Sequence, residues 1–307
     1  MQLTNERVVY MNGQIVPESG ALVSFRDRSF RYGDGCFDTT RTFSHRIFKL
    51  NEHLDRFYKT LRYLQIDIDV TRQQLVEITE DILQRNLHLL DEHEDYWVSQ
   101  RVSRGVDLPG GDIHQLAEPT LIVECTPLPL KARAHYFRDG IEVMVPSVRR
   151  ASPDALNPRA KTHNYLNLIL GDQEVRRANP KAWAILLDHQ GGLAEGIGSN
   201  IFIVRDGVVY TPQDRYVLCG VSRETVIEEA AKLGITVVKA DIDLYDAYNA
   251  DEAFITSTSF CICPVRSING IALGEGKVPG PVTRRLTEAY IQLVGTDFVQ
   301  QYLRHLA

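Results

Sequence analysis

Gly192-Leu193-Ala194-Glu195-Gly196-Ile197-Gly198-Ser199-Asn200-Ile201-Phe202 is a glycine-rich turn that carries one carboxylate and runs into an apolar strand. Its counterpart lies 34 positions before Glu195, in Arg159-Ala160-Lys161-Thr162-His163-Asn164-Tyr165-Leu166-Asn167. Here a lysine precedes an apolar helical stretch. A lysine beside a packed helix can be partly desolvated, which lowers its pKa and frees a nucleophilic amine. Taken singly, each residue has an ordinary reading: most lysines are solvated charges, and most turn carboxylates are exposed. Together they match one chemistry. An aldehyde cofactor with a pyridine ring needs an amine for a Schiff base and a carboxylate that keeps the ring nitrogen protonated, as in pyridoxal phosphate catalysis.

Bulk properties narrow the field. At 307 residues the chain has room for two domains of about 100–200 residues each. The net charge of -6 argues against a nucleic-acid surface, which needs clustered Lys and Arg. No apolar run approaches the roughly 18 residues of a membrane helix. Residues Met1 to Arg7 lack a basic start followed by an apolar stretch, so no signal peptide is visible and the expectation is a cytoplasmic protein. Five cysteines, Cys36, Cys125, Cys219, Cys261 and Cys263, favour free thiols over a disulfide framework. Cys261 and Cys263 read as alternating strand positions, because no second pair stands at zinc spacing; no metal is expected.

Along the chain, Val8 to Met11 and Gln14 to Val16 flank Asn12-Gly13, a two-residue hairpin signal. Cys36 to Phe43 and Ile47 to Leu50 read as strands. Asn51 is the expected N-cap of a helix with Leu54, Tyr58, Leu61 and Leu64 on one face. Thr71 and Gln74 form a capping box for a second helix running to about Leu90. Tyr96 to Val102 and Thr120 to Cys125 are predicted strands around a Gly-rich loop, Gly105 to Glu118. Thr126 to Lys131 holds two prolines and reads as a linker. The expected domains are therefore 1–126 and 134–307, joined by residues 127–133. In the second, a strand starts at Ile141 and a helix follows Lys161, with Tyr165, Leu168, Ile169 and Val175 as buried positions. Strands are predicted at Ala184 to Leu187, Ser199 to Val204, Val208 to Tyr210, Phe254 to Thr256 and Val265 to Leu273, and helices at Ser222 to Leu233 and Pro281 to Leu293.

Three further features point to a phosphate. Cys219-Gly220-Val221-Ser222-Arg223 opens a helix, where unpaired N–H groups and the dipole favour an anion. Thr256-Ser257-Thr258-Ser259 is a hydroxyl-rich run after a strand. Arg56 supplies a permanent positive charge. Each also has a plain structural reading, as an N-cap serine, a polar turn and a solvated helix arginine.

As a set, and in this order, Arg31-Tyr32-Gly33-Asp34-Gly35-Cys36-Phe37-Asp38, His53-Leu54-Asp55-Arg56, the lysine and glutamate segments, Gly220 to Arg223 and Thr256 to Thr258 resemble the class IV, fold-type IV pyridoxal-phosphate aminotransferases. The resemblance runs over nearly the whole chain. It implies a two-domain α/β (α+β) fold with mixed sheets, a barrel-like C-terminal domain and a homodimer. It implies pyridoxal 5'-phosphate as cofactor, with Lys161 as Schiff-base lysine and proton shuttle, and Glu195 on the pyridine nitrogen. Arg56, Ser222, Thr258 and the backbone of Val221 resemble phosphate ligands, and Tyr165 a neighbour of the phenolic oxygen. Tyr32, Phe37, Tyr96, Val98, Gln100 and Ser259 are the implied substrate-pocket positions.

The implied reaction is ping-pong transfer of an amino group from an amino acid to a keto acid such as 2-oxoglutarate, with a branched-chain L-amino acid as the expected donor. Two departures bear on the donor. The branched-chain enzymes' Tyr-x-Arg contact stands here as Tyr96-Trp97-Val98, and Asp38 replaces their usual Glu, as in (R)-amine enzymes. The D-amino-acid enzymes' Arg-x-His trap is also missing after Ser103-Arg104-Gly105. Arg101, Arg104 and Gln100 are the residues available to compensate, with structural pairing the preferred reading of the two arginines. The alternatives are a D-amino-acid or (R)-amine transaminase, and a lyase of the aminodeoxychorismate type.

Overall fold

The computed structural model describes residues 5–112, 114–115, 118–274 and 276–306. Met1 to Thr4 of the N-terminal stretch, and Ile113, Leu116 and Ala117 of the predicted 105–118 loop, lie outside the described residues. The chain divides into two compact units, Met1–Leu128 with Ala160–Asn164, and Pro129–Arg159 with Tyr165–Ala307.

Unit 1 is a six-stranded antiparallel sheet with two long helices. Its strands are β1 (Val8–Met11), β2 (Gln14–Pro17), β3 (Gly35–Phe43), β4 (Arg46–Ile47), β5 (Tyr96–Ser103) and β6 (Thr120–Pro127), in the order β2-β1-β6-β5-β3-β4. The helices are α1 (Arg28–Tyr32), α2 (Leu50–Leu64) and α3 (Arg72–Asn86). Asn12 and Gly13 both take positive φ, 48° and 86°, in the β1–β2 turn, the geometry a tight hairpin needs. The α3 capping box forms as expected between Thr71 and Gln74. The start of α2 differs: its N-cap is Lys49 in the left-handed region, with no side-chain capping bond, so Asn51 already lies within the helix. Leu54, Phe57 and Leu61 of α2 and Leu75 and Ile82 of α3 bury against Tyr96, Val98, Val102 and Val123 of the sheet. Each such side chain contributes about 1.5–3 kcal/mol relative to exposure.

Unit 2 runs α4 (Leu130–Asp139), β7 (Ile141–Met144), α5 (Leu166–Ala178), β8 (Trp183–Leu187), β9 (Leu193–Gly196), β10 (Ser199–Arg205), β11 (Val208–Pro212), α6 (Val221–Lys232), β12 (Val237–Ala240), α7 (Leu244–Tyr248), β13 (Glu252–Ser257), β14 (Cys261–Ile268), β15 (Ile271–Ala272), α8 (Pro281–Val294) and α9 (Phe298–Leu303). Strands β10, β13, β14, β7, β8 and β9 pair in that order, and β9 pairs again with β10. The six therefore close into a ring, the barrel that the resemblance implies. Pairs β7–β8, β7–β14 and β11–β12 are parallel, so the sheet is mixed.

Three expectations need correction. The break between the units, Leu128 to Pro129, falls inside the expected 127–133 linker, but most of that stretch is helix, because β6 runs to Pro127 and α4 starts at Leu130. Leu130, Ala134 and Phe137 are buried, a helical i, i+4, i+7 stripe that the two prolines outweighed in the sequence. Residues 160–164 belong with unit 1 rather than with the segment that surrounds them in sequence, because they pair with β3. In α5, Leu168, Gly171 and Val175 are buried, whereas Ile169 is exposed and Tyr165 only half-buried. Among the described residues no helix is long and apolar enough to cross a membrane.

Candidate active site

Within unit 1, the lysine segment lies along the start of β3. The Phe37 N–H donates to the Lys161 carbonyl at 3.1 Å, and the His163 N–H to the Gly35 carbonyl at 2.9 Å. Cys36 and Thr162 form an antiparallel bridge between them. The Lys161 N–H reaches Thr60 Oγ1 of α2 at 3.3 Å. The lysine backbone is thus held by a strand and a helix, and its Nζ lies 4.4 Å from the centroid of the Phe37 ring, a cation–π distance.

His163 secures the same segment from the side. Its Nδ1 lies 2.5 Å from Ser29 Oγ, and its ring stacks on Phe37 at 5.6 Å between centroids. A Cβ on Gly35 would sit 2.4 Å from Ser29 Oγ and 2.8 Å from His163 Nδ1, so only glycine leaves room for that contact. Burial, and then the Arg101 charge, push the His163 pKa down to about 4. The ring is therefore neutral at ordinary pH.

Arg56 of α2 is not a solvated helix arginine. Its Nε and Nη2 donate to the two carboxylate oxygens of Asp38 at 2.8 and 2.7 Å, and His53 Nδ1 lies 2.8 Å from Asp38 Oδ1. Burial of Asp38 opposes its charge, but the Arg56 guanidinium and His53 outweigh it and hold the carboxyl well below the usual range. Burial pushes the His53 pKa down. Asp38, where a longer glutamate was the usual expectation, serves as the anchor that aims Arg56.

The pocket positions on β5 need revision. Cross-strand partners lie on the same face of a sheet, and neighbours along a strand alternate. Phe37 pairs with Arg101, Thr39 with Ser99 and Arg41 with Trp97. These odd-numbered residues share the face that carries Lys161 Nζ. Tyr96, Val98 and Gln100 point to the opposite face and are fully buried in the core. There the Tyr96 hydroxyl donates to the Asn86 carbonyl at 3.0 Å, and Gln100 Nε2 to Thr79 Oγ1 at 3.1 Å. Trp97, Ser99 and Arg101 take their place on the face of Phe37, with Arg101 directly opposite it. Tyr32 ends α1 and is half exposed.

Unit 2 carries the carboxylate. Glu195 on β9 is buried. Arg150 Nε donates to its Oε1 at 2.8 Å, and the Leu218 N–H to its Oε2 at 2.9 Å. Charge and hydrogen-bonding capacity are both compensated, as a buried carboxylate requires. Glu195 pairs in register with Asn200 of β10, and Asn200 Nδ2 donates to the Leu218 carbonyl at 2.9 Å. One strand pair therefore holds the loop that leads into α6. That helix starts after Gly220 with no side-chain cap bond, so its first N–H groups, including those of Val221 and Ser222, have no intrahelical acceptor. A Cβ on Gly220 would lie 2.3 Å from Asn200 Oδ1, so the approach of chain to chain is as close as glycine permits. Thr256 of β13, opposite Asn200, has a buried Oγ1 without a hydrogen-bond partner among the described residues. Thr258 lies in the turn after β13. Ser259, expected in the pocket, is buried: Arg133 Nη1 donates to its hydroxyl, and the Tyr302 hydroxyl to its carbonyl at 3.0 Å. Arg223 is a structural residue, fully buried and bonded to Asp214, Glu224 and the Pro212 carbonyl.

The family model for class IV amino-transferases matches residues 35–268. The chain belongs to the class IV aminotransferases. It is 37% identical over 283 residues to a putative branched-chain-amino-acid aminotransferase of Methanocaldococcus jannaschii, spanning 92% of this chain and 94% of the relative. The branched-chain-amino-acid aminotransferase of Escherichia coli K12 is 31% identical, over 93% of this chain and 92% of its own. Among solved structures, the branched-chain amino acid aminotransferase of Thermobaculum terrenum in its PLP-bound form superposes with a TM-score of 0.82 at 26% identity, covering 99% of this chain and 98% of that one.

This aminotransferase works with pyridoxal 5'-phosphate, and its residues fit that group. Unit 2 offers an uncapped helix N-terminus beside the Gly220 close approach, a buried Thr256 hydroxyl without a partner among the described residues, and a buried carboxylate bonded to Arg150. Unit 1 offers an amine on a backbone fixed by strand and helix. Arg150, Thr60, Ser29 and His163 went unnoticed in the sequence. Arg150 stands 45 residues from Glu195 and Ser29 stands 134 from His163, and no local spacing signals such pairs.

Proposed function

We propose that this aminotransferase moves the amino group of a branched-chain L-amino acid to a keto acid such as 2-oxoglutarate. The observation that carries the catalytic reading is the Lys161 amine, carried on a backbone bonded to β3 and α2 and set against the Phe37 ring. When bound, pyridoxal phosphate supplies an aldehyde carbon that takes the amino group and a ring that accepts the electrons of the broken C–H bond. In our reading Lys161 Nζ would hold the cofactor through its aldehyde carbon and, as a free amine, would move the substrate's α-proton. Glu195 would keep the ring nitrogen protonated, and Arg150 holds the Glu195 carboxylate in place. The α6 N-terminus with Val221 and Ser222, Thr258 and Arg56 are the residues that would bind the phosphate, and Tyr165 is the one assigned to the phenolic oxygen. Phe37 and Trp97 give the substrate side chain an apolar wall, which supports a branched aliphatic donor, as do the names of the two relatives.

We also place the enzyme in the cytoplasm as a homodimer. Buried free thiols at Cys36, Cys125, Cys261 and Cys263 suit a reducing compartment. Leu22, Phe25 and Phe30 are 78%, 69% and 75% exposed within one short stretch of unit 1, and such a patch marks an association surface. Sedimentation should give a dimer, and Phe25→Asp with Phe30→Asp should shift it to monomer; a wild-type monomer at micromolar concentration would refute the assignment.

The function itself is tested by mixing purified holoenzyme with single donors in the absence of acceptor. L-leucine, L-valine and L-isoleucine should abolish the cofactor's visible absorption band within one half-reaction. If only D-amino acids or (R)-amines do so, the donor assignment fails. If aminodeoxychorismate yields pyruvate over many turnovers without any keto-acid acceptor, the lyase alternative replaces it.

A further inference from the structure

Arg101 stands on the lysine-bearing face of the unit 1 sheet, and the chemistry above gives it no task. Its guanidinium carbon lies 5.1 Å from the Phe37 ring centroid, and Lys161 Nζ lies 4.4 Å from the same point. The two cations are therefore no farther apart than these two distances laid end to end. In an amino acid the carboxyl carbon is two bonds from the nitrogen, so a donor whose nitrogen replaces the lysine amine carries its carboxylate beside the Phe37 ring that both cations flank. The other arginines of unit 1 near this face are committed. Arg41 is buried and bonded to the Thr42 carbonyl at 2.9 Å, with Asp95 at 3.6 Å. Arg104 spans Asp34 and the Leu64 and Gln65 carbonyls. Arg28 and Arg31 pair with Asp34 and Asp107.

Arg101 is held more lightly. Its Nε and Nη2 meet a single oxygen, Glu124 Oε1, at 3.2 and 3.1 Å, and its side chain is 42% exposed. An ion pair that open contributes about 0–1 kcal/mol. Glu124 has a second partner, since Thr126 Oγ1 donates to its Oε2 at 2.7 Å, so it is not orphaned when Arg101 turns away. His163 beside it is neutral and offers no competing charge.

We propose that Arg101 recognises the substrate carboxylate, exchanging Glu124 for it through a two-bonded guanidinium–carboxylate pair. It is a specificity-determining residue, on a strand that lacks the arginine of the Tyr-x-Arg contact. The proposal rests on the aminotransferase reading, which the loss of the wild-type visible band with L-leucine tests separately.

Its own test is equilibrium binding of unreactive probes to holoenzyme by calorimetry. Wild type should bind 4-methylvalerate at least about 10-fold more tightly than the uncharged 4-methylvaleramide, and glutarate more tightly than glutaramate. Arg101→Gln should bring acid and amide within about 2-fold of each other, Arg101→Lys should keep part of the preference, and Glu124→Gln should strengthen acid binding. Loss confined to glutarate assigns Arg101 to a distal carboxylate; loss for both acids assigns it to the one beside the amine. Retention of both preferences in Arg101→Gln, or their absence in wild type, overturns the proposal.

Discussion

In the proposed mechanism two residues divide the catalytic work, and each depends on neighbours that do no chemistry. Lys161 needs a backbone that does not yield when its side chain is attached or released, and Phe37, Gly35 and Thr60 give it bonds on both sides. Lys161→Ala should abolish the visible absorbance of cofactor-loaded protein and lower turnover by about 10³-fold or more, with an unchanged far-ultraviolet dichroism spectrum. A variant that kept full turnover would remove the lysine from the mechanism. Glu195 needs Arg150. Removing one member of a buried pair leaves a stranded charge at a cost of about 3–5 kcal/mol, so Arg150→Ala should lower stability by that order in a denaturant titration. An effect below about 1 kcal/mol would mean the pair is effectively solvated.

At the scale of elements, two devices matter. One is the close approach of Gly220 to Asn200, which sets where α6 begins. Gly220 has an ordinary φ of -65°, so alanine is conformationally acceptable there and only its Cβ is out of place. Gly220→Ala should keep the helix, displace Asn200 from the Leu218 carbonyl and weaken cofactor binding by about 10-fold, or about 1.4 kcal/mol, in a titration of apoprotein. Unchanged affinity would separate the α6 N-terminus from the phosphate. The other device is the pleat of β5. A shift of one residue decides whether Tyr96, Val98 and Gln100 or Trp97, Ser99 and Arg101 share the face of Phe37, and the register with β3 selects the second set.

For the whole molecule, the buried histidines predict a pH dependence of stability. His163 titrates at about 4 in the folded protein and at about 6.5 when unfolded. Between those values the unfolded chain binds more protons, so stability rises with pH. It is accordingly lost as pH falls from about 6.5 toward 4, and His53, also pushed down by burial, adds in the same sense. Asp38 acts lower. Its folded pKa is depressed, so its contribution is present above the unfolded value of about 3.9 and is lost as pH falls further. Melting temperature should decline from pH 6.5 to 4, and His163→Gln should flatten that decline. An unchanged slope in the variant would place the proton uptake elsewhere.

The sequence alone determined whatever depends on local pattern: the Asn12-Gly13 hairpin, the Thr71–Gln74 cap, the strand-rich segments and the ordered motif set that implied a mixed, barrel-like fold. Such features rest on backbone preference and on side chains a few residues apart, which any reader of the chain can see. Tertiary structure decided which face of β5 meets Phe37, that Arg150 sustains Glu195, that Asp38 aims Arg56, and that residues 160–164 pair with β3. These are contacts between residues far apart along the chain, fixed by sheet register and by the need of every buried charge for a partner. Neither condition exists until the chain has folded.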